Sequence, residues 1–359
     1  MRWTVMALGL VVLLALTTEP SRAYRDYFTK EQREQLAKIN TVLVEAVALT
    51  DKGAQDAEPF RKVVEKRMAE LDYAHATDSK QPHDVVVRVK CEQRKTWEGT
   101  TSSGGDNDLP GAPSRLWKGP ACQLTYRLGG IKIQWQKEVR TSFSDAVEAA
   151  QRVNAGDPGA YALSELKTLL QEYDFPVLLA AEWGHDERLL KLLDSPSTPQ
   201  PRKLLVLSLL GDMLASEDAL PRLKEALKDK DLSKEAAVAL GSIGSDGIPV
   251  LAEILKSSNQ PELQAAAAKG LGRIGGISGD PRVVDPLLSM LDAPGIDIGV
   301  QTEIVWALGK VPDKRSLPPL KALYRKVLHI RDPENKALKK LKEALNWSTK
   351  QLDLDEHLS

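Results

Sequence analysis

The residues whose spacing most strongly suggests chemistry are three glycines in the segment AAAAKGLGRIGG, residues 265–276. Gly270, Gly272 and Gly275 spell G-x-G-x-x-G, the pattern of a turn that binds the pyrophosphate of a dinucleotide. Such a turn requires a strand before its first glycine and a helix after its last. The preceding residues, PELQAAAAKG, have high helix propensity instead. The sequence therefore predicts no dinucleotide site, and we expect no cofactor.

The histidines do not form a recognisable catalytic or metal-binding pattern. The sequence has five His and contains no His-Glu-x-x-His, Gly-x-Ser-x-Gly or P-loop motif. His185 adjoins two carboxylates in GHDE, but adjacent residues of a helix do not face one another. We expect His185 to be a solvated residue at a helix start, and we predict no metal site and no catalytic residues.

The two cysteines lie in segments where apolar residues alternate, as they do in strands. Cys91 belongs to HDVVVRVKCEQRKTW (83–97) and Cys122 to ACQLTYRLGGIKIQWQKEV (121–139). An antiparallel register that joins the two sulfurs also aligns both apolar faces. This register places Val89 opposite Leu124, Val87 opposite Tyr126 and Val85 opposite Leu128. The agreement predicts a structural disulfide, because redox-active pairs are usually spaced as Cys-x-x-Cys.

The Gly129-Gly130 pair predicts a two-residue hairpin turn, which completes a three-stranded antiparallel meander. The turn sets Leu128 opposite Ile131, Tyr126 opposite Ile133 and Leu124 opposite Trp135. Residues 98–120, rich in Gly, Ser, Pro and Asp, are predicted to form a loop between the first two strands.

The first 23 residues have the pattern of a secretory signal peptide. Arg2 precedes an apolar run from Val5 to Leu16, and Ser21-Arg22-Ala23 places small residues before a cleavage site. The run is too short to span a membrane comfortably. The pattern predicts an exported protein, periplasmic or secreted, cleaved near Ala23. Export to an oxidising compartment agrees with a disulfide.

Residues 24–150 are predicted to form a disulfide-braced α+β domain. One helix is expected over about 29–50, with Thr29 and Gln32 as a capping box, and a second over about 58–71. The three-stranded meander follows. The formal net charge of −1 gives no general attraction to nucleic acid, and export separates the protein from it, so we expect no nucleic-acid partner.

A repeat begins after residue 160. The segment KGLGRIGG recurs as SLLGDMLA (208–215), VALGSIGS (238–245) and WALGKVPD (306–313), which aligns Gly211, Gly241, Gly272 and Gly309 at intervals of 30, 31 and 37 residues. A Pro-x-Leu motif recurs along the same region at a similar spacing. Two markers at this period indicate a helical repeat. The predicted helix pairs are 186–196/201–213, 220–228/233–244, 248–257/261–275, 282–292/298–311 and 316–329/335–347, with a looser pair before them near 161–171 and 175–183.

This pattern resembles HEAT repeats, most closely the short Ala-Leu-Gly type named for phycobilin lyases, over Asp186 to about Trp347. The resemblance implies an α-solenoid of five to six helix pairs at 160–347, followed by a polar tail at 348–359. HEAT-like families include enzymes. However, the His-Glu dyads that bind iron in deoxyhypusine hydroxylase-like proteins do not occur here, and bilin lyases act in the cytoplasm.

A solenoid exposes a long concave surface formed by its second helices, which suits recognition of a protein. The resemblance therefore implies a non-catalytic exported scaffold that binds a protein partner on this surface. The alternative is an envelope-associated hydrolase or lyase with a site between the two domains and the 98–120 loop as a lid, since clefts between domains are common sites.

Two positions relative to the aligned glycine are predicted to form an exposed stripe on the second helices. The position three before it holds Ser208, Val238, Lys269 and Trp306, and the position one after it holds Asp212, Ser242, Arg273 and Lys310. Trp and Arg are common anchors of interfaces. We predict that Trp306 anchors the partner, flanked by Lys269, Arg273 and Lys310. The alternative is that Trp306 is buried under the following repeat.

The last repeat is basic. From Lys310 to Lys342 there are eleven Lys and Arg residues and three acidic residues. A polar end repeat keeps a solenoid soluble, which is one explanation. The other is a basic patch of Lys336, Lys339 and Lys340 that docks to an acidic partner or an anionic envelope surface.

Overall fold

An N-terminal sheet and a series of paired helices make up the chain, which the structure, a computed structural model, describes over residues 28–100, 114–213 and 215–358. Residues 1–23, the predicted signal peptide, lie outside the described residues. Two helices, α1 (Lys30–Leu36) and α2 (Glu58–Ala69), belong to the sheet region. The strands are β1 (Thr41–Thr50), β2 (Gly53–Gln55), β3 (Ala74–Ala76), β4 (Val85–Thr100), β5 (Ser114–Leu128) and β6 (Ile131–Arg140).

The strands follow the order β2-β1-β4-β5-β6, with β3 also beside β1. The predicted meander of β4, β5 and β6 is confirmed, but the helix predicted over 29–50 is wrong beyond Leu36. The capping box at Thr29 and Gln32 does start a helix. The segment TVLVEAVALT then forms β1, parallel to β4, because its alternating, partly β-branched residues suit a pleated surface.

The predicted disulfide register is confirmed. Cys91 and Cys122 are joined at 2.03 Å, and the three predicted pairs from Val89–Leu124 to Val85–Leu128 are formed. Leu128 also lies opposite Ile131. The ladders of β4 and β5 include residues 98–100 and 114–119, so the loop is shorter than the predicted 98–120, and its residues 101–113 lie outside the described part.

The hairpin register changes after its first pairs. A bulge near Tyr126 places Leu124 opposite Lys137, so the predicted pairs Tyr126–Ile133 and Leu124–Trp135 are wrong. A bulge inserts extra residues into one strand and redirects its side chains. Trp135 is thereby buried, with its ring centroid 5.8 Å from that of Tyr126.

Three helices connect the sheet to the repeats: α3 (Ala146–Arg152), α4 (Pro158–Glu172) and α5 (Phe175–Trp183). Helices α2 and α4 pack together over the core face of the sheet. Gly159 permits this approach, since a Cβ there would lie 2.9 Å from side-chain atoms of Thr50 and Gln93. The looser first pair, α4 and α5, therefore belongs to the sheet core as much as to the solenoid.

All five predicted helix pairs are present. They are α6 (Asp186–Asp194) with α7 (Gln200–Asp212), α8 (Ala219–Ala226) with α9 (Ser233–Leu240), α10 (Ile248–Ser257) with α11 (Pro261–Ser278), α12 (Val284–Leu291) with α13 (Ile298–Gly309), and α14 (Leu317–Leu328) with α15 (Lys336–Leu358). Helix α15 includes most of the segment predicted as a polar tail at 348–359. Leu345 and Leu352 continue its apolar face at a seven-residue spacing and are both buried, which explains why the helix does not stop.

The glycines of the repeat lie where neighbouring second helices touch. A Cβ at Gly241 would be 2.8 Å from the carbonyl oxygen of Gly270, and one at Gly272 would be 2.6 Å from the Cα of Ala307. The backbones of neighbouring second helices therefore approach closely at these glycines. The helix predicted over 261–275 continues to Ser278 and ends at Gly279 in the left-handed conformation. The G-x-G-x-x-G segment is therefore a helix-packing surface.

Candidate functional site

The second helices, α7, α9, α11, α13 and α15, form one side of the solenoid, which their mutual contacts identify as the concave side. They contact one another more extensively than the first helices of neighbouring pairs do. In a curved stack the concave side is the side on which layers approach most closely, and glycine and alanine at these contacts allow that approach. The exposed surface of these helices is called the groove below, and it carries the predicted anchor residues.

The structure places most of the predicted stripe on this groove. Ser208, Lys269, Asp212 and Lys310 are exposed, while Val238, Trp306 and Arg273 are half-buried. Ser242 departs from the prediction. It is only 3% exposed, and its hydroxyl donates to the carbonyl of Ala239 at 2.7 Å. The stripe is therefore continuous only in the later repeats, from α11 to α15.

Lys269, Arg273 and Lys310 form a cluster of positive charge. Partial desolvation of its ammonium lowers the pKa of Lys310, and the charges of Lys269 and Arg273 lower it further, against the opposing effect of Glu303. As a residue, Lys310 is nevertheless exposed. Cations this close repel one another unless an anion lies between them.

Arg273 has few hydrogen-bond partners for a half-buried guanidinium. Burial lowers its pKa, and Asp212 opposes that effect. Its Nε is buried without a hydrogen-bond partner among the described residues, and its Nη2 reaches only the Met213 carbonyl, at 3.5 Å. A half-buried guanidinium in this state favours a carboxylate or another planar anion, which can accept two of its N–H groups.

An aromatic pair lies beside the cluster. The rings of Trp306 and Trp347 have centroids 5.1 Å apart at an angle of 50°. Gly309 packs against Ser348 as Gly272 packs against Ala307, so Trp347 occupies in α15 the position that Trp306 occupies in α13. The two environments predicted for Trp306 are thus combined: the next repeat covers part of its ring, and the rest faces the groove.

The basic patch continues from the aromatic pair along α15. Lys336, Lys339 and Lys340 are exposed, and none of them has an ion-pair partner among the described side chains. Lys340 lies seven residues, two helical turns, before Trp347 and so shares its face. Some other cations of the last repeat are paired, such as Lys326 with Asp292 and Lys321 with Asp353, both at 2.6 Å.

His185, expected to be solvated, is instead half-buried at the junction between the sheet and the solenoid. Its Nδ1 lies 2.6 Å from the Tyr73 hydroxyl and its Nε2 lies 2.9 Å from the Leu36 carbonyl. The carbonyl can only accept, so Nε2 carries the proton and Tyr73 donates to Nδ1. The expectation failed because Tyr73 and the end of α1 pack against this helix start, an arrangement that only the tertiary fold determines.

A cleft of about 420 Å³ lies between the sheet region and α6 and α7, where the alternative hypothesis would place an active site. Its charged residues are already engaged: Lys191 pairs with Asp72 at 2.6 Å, and Arg202 with Glu70 at 3.2 Å. Arg188 donates to the carbonyl of Leu71 and the side chain of Asn40. These contacts join the two regions.

Within the described ranges, no group of three or more His, Cys, Asp or Glu side chains could hold a metal ion. The same part of the chain contains no helix long and apolar enough to cross a membrane.

The state of His185 predicts a pH dependence of stability. Burial lowers the pKa of His185, so the unfolded chain, with a pKa near 6.5, binds the proton more readily than the folded protein. Stability from the neutral ring is complete above about pH 6.5 and is lost as the pH falls through the folded pKa. In urea titrations between pH 8 and 5, wild type should lose more unfolding free energy than His185→Gln. Parallel pH profiles of the two proteins would show that His185 does not titrate on unfolding.

A match to a protein-family model agrees with the helical repeats of this fold. The family model described as HEAT repeats matches residues 187–272 and 248–331. A designed armadillo repeat protein in complex with the peptide (KR)4 is 19% identical, with 57% of this chain and 100% of that chain covered and a TM-score of 0.33. An engineered protein is 19% identical, with 59% and 98% covered and a TM-score of 0.34. No curated protein matches this chain. The helical part that follows the N-terminal sheet therefore contains HEAT repeats, within residues 187–331.

Proposed function

We propose that this protein is a non-catalytic scaffold that binds an acidic segment of a protein partner in the groove of its last three repeats. Repeat solenoids of this kind are typical protein-binding scaffolds. The observation that carries the proposal is the cluster of Lys269, Arg273 and Lys310, which faces the groove without a hydrogen-bonded carboxylate among the described residues, beside the Trp306–Trp347 pair.

Each part of the site has a separate role in this proposal. Arg273 holds a carboxylate of the partner through two N–H groups, and the two lysines supply further positive charge. The Trp306–Trp347 pair receives an apolar side chain next to that carboxylate and excludes water from the ion pair. Large aromatic residues at the centre of an interface commonly supply most of its binding free energy.

The lysines of α15 extend the same docking surface. Lys336 and Lys340 lie on the face of Trp347, so further acidic residues of the partner can continue along the helix. The same lysines suit an anionic envelope surface. We favour the acidic protein segment, because the aromatic pair offers a site for one apolar side chain.

We also propose that the protein works outside the cytoplasm, in the periplasm or beyond the cell. The signal-peptide pattern of residues 1–23 is the main support. The Cys91–Cys122 disulfide agrees with it, because such bonds persist in oxidising compartments.

The proposal predicts that Trp306→Ala weakens binding of an acidic amphipathic peptide by about 30-fold, the equivalent of roughly 2 kcal/mol. A labelled (Asp-Leu)4 peptide, titrated by fluorescence anisotropy, measures this effect. Trp306→Phe should retain part of the affinity because it keeps an aromatic ring. Arg273→Gln should weaken binding of the same peptide and reduce its dependence on salt.

The matched controls are a (Lys-Leu)4 peptide and a Lys256→Gln variant. The basic peptide should bind poorly to wild type. Lys256 is an exposed residue of α10, a first helix on the other side of the solenoid, so its loss should leave affinity unchanged. If Trp306→Ala binds (Asp-Leu)4 as tightly as wild type, the groove is not the site. If the variant melts early by the 3–5 kcal/mol of a large core truncation, Trp306 belongs to the core.

A further inference from the structure

The open face of the N-terminal sheet carries a second concentration of positive charge, separate from the solenoid groove. A depression of about 480 Å³ on this face is lined by Arg88, Lys90, Arg127 and Lys132, together with Gln123, Thr125 and Gly130. No carboxylate and no large apolar side chain is among the residues that line it. The core face of the same strands is apolar, with Val87, Val89 and Leu124 fully buried.

Arg88 lies opposite Glu45 in the β1–β4 ladder, but only two of these four cations form an ion pair. Lys90 pairs with Glu92 at 2.8 Å and Arg127 with Glu45 at 2.7 Å. Arg88 and Lys132 are exposed and have no ion-pair partner among the described side chains. The depression therefore keeps a positive charge that the surrounding acidic residues do not neutralise.

The register of the sheet places two of the cations against each other. Arg127 and Lys132 are direct cross-strand partners in the β5–β6 hairpin. Like charges in directly opposed positions destabilise a sheet. The repulsion between the two side chains lowers the stability of the free protein, and an anion that binds between them would reduce it.

We propose that this face binds a polysaccharide that carries carboxylate or sulfate groups. The anionic groups would lie between Arg88, Arg127 and Lys132, and the side chains of Gln123 and Thr125 offer hydrogen bonds to sugar hydroxyls. An acidic protein is a poorer match, because the core of a protein interface is apolar and rich in aromatic residues, and this depression has neither property. The site is independent of the peptide groove proposed above.

The test uses the full chain and two probes, a heparin-derived octasaccharide and an oligogalacturonate of the same length, titrated by calorimetry at low salt. A neutral dextran oligosaccharide is the negative control. Wild type should bind at least one of the two anionic probes and not dextran, with an affinity that falls as salt increases. Arg88→Gln and Lys132→Glu should each weaken binding at least tenfold.

Lys132→Glu also separates binding from folding. It turns the like-charged cross-strand pair into an opposite-charged pair, so its melting temperature should equal or exceed that of wild type while its affinity falls. The matched control is Lys66→Glu, the same charge change at an exposed position of α2, which packs on the other face of the sheet. That variant should bind as wild type does.

Three results would overturn the proposal. The first is unchanged affinity in both Arg88→Gln and Lys132→Glu. The second is an equal loss in Lys66→Glu, which would mean that only overall charge matters. The third is loss of oligosaccharide binding in a Lys336→Glu/Lys339→Glu/Lys340→Glu variant and retention in the sheet variants, which would place the anionic ligand on the last repeat.

Discussion

Trp183→Ala is expected to destabilise the protein by about 3–5 kcal/mol, the usual cost of truncating a large, fully buried aromatic side chain. Trp183 is 2% exposed, and its ring packs edge-on against Tyr73 at 5.3 Å and Tyr126 at 5.7 Å. Because Trp183 ends α5 while both tyrosines belong to the sheet region, the cavity would open at the junction of the two regions. Guanidinium titrations followed by circular dichroism measure the loss.

Trp183→Phe is the matched control. The indole Nε1 is buried without a hydrogen-bond partner among the described residues. The substitution therefore removes an unpaired N–H donor, which is unfavourable when buried, and keeps a smaller aromatic ring. This variant should lose much less stability than Trp183→Ala. The junction also predicts a single unfolding transition for sheet and helices in wild type. Separate transitions, or equal losses in the two variants, would contradict a shared core at Trp183.

Removal of the disulfide, in a Cys91→Ala/Cys122→Ala variant, is expected to cost roughly 3–4 kcal/mol of unfolding free energy. The bond closes a loop across a sequence separation of 31 residues, and most of its effect is restriction of the unfolded chain. Both cysteines are fully buried in the sheet core, so the two alanines also leave a small cavity. Urea titration of the variant against wild type measures the combined loss.

Reductant supplies the control for the disulfide. Wild type unfolded and refolded in dithiothreitol should show most of the loss seen in the double variant, whereas the variant itself should be insensitive to reductant. If reduction leaves the unfolding free energy of wild type unchanged, the bond does not contribute to stability. If the variant responds to reductant, the effect does not come from this bond.

The sequence was most informative where two independent constraints selected the same arrangement. The cysteine pair and the alternating apolar residues both require one register of β4 and β5, which the structure has. Strand β1 was missed because its main partner, β4, is distant in sequence and parallel to it. The bulge near Tyr126 was missed for a similar reason, since the burial of Trp135 depends on the packing of the whole sheet.

In the solenoid, the repeat period predicted which residues occupy equivalent positions but not their surroundings. The period put Lys269, Arg273 and Lys310 on one side of neighbouring helices, and their mutual effects on pKa agree with that proximity. It did not identify Trp347, because α15 has Lys350 where the other second helices have glycine. The contact of Gly309 with Ser348 identifies Trp347 as the equivalent residue of α15. That contact depends on the three-dimensional structure and cannot be read from the sequence.

The glycine contacts between second helices have a mechanical consequence. The backbones of α9, α11 and α13 already touch at Gly241, Gly270 and Gly272, where even a methyl group would not fit. Steric repulsion rises far more steeply on compression than attraction falls on separation, so the concave side resists further bending but yields to unbending. The elasticity of this solenoid is therefore one-sided: it can flatten around a larger object, but it cannot curl more tightly around a smaller one.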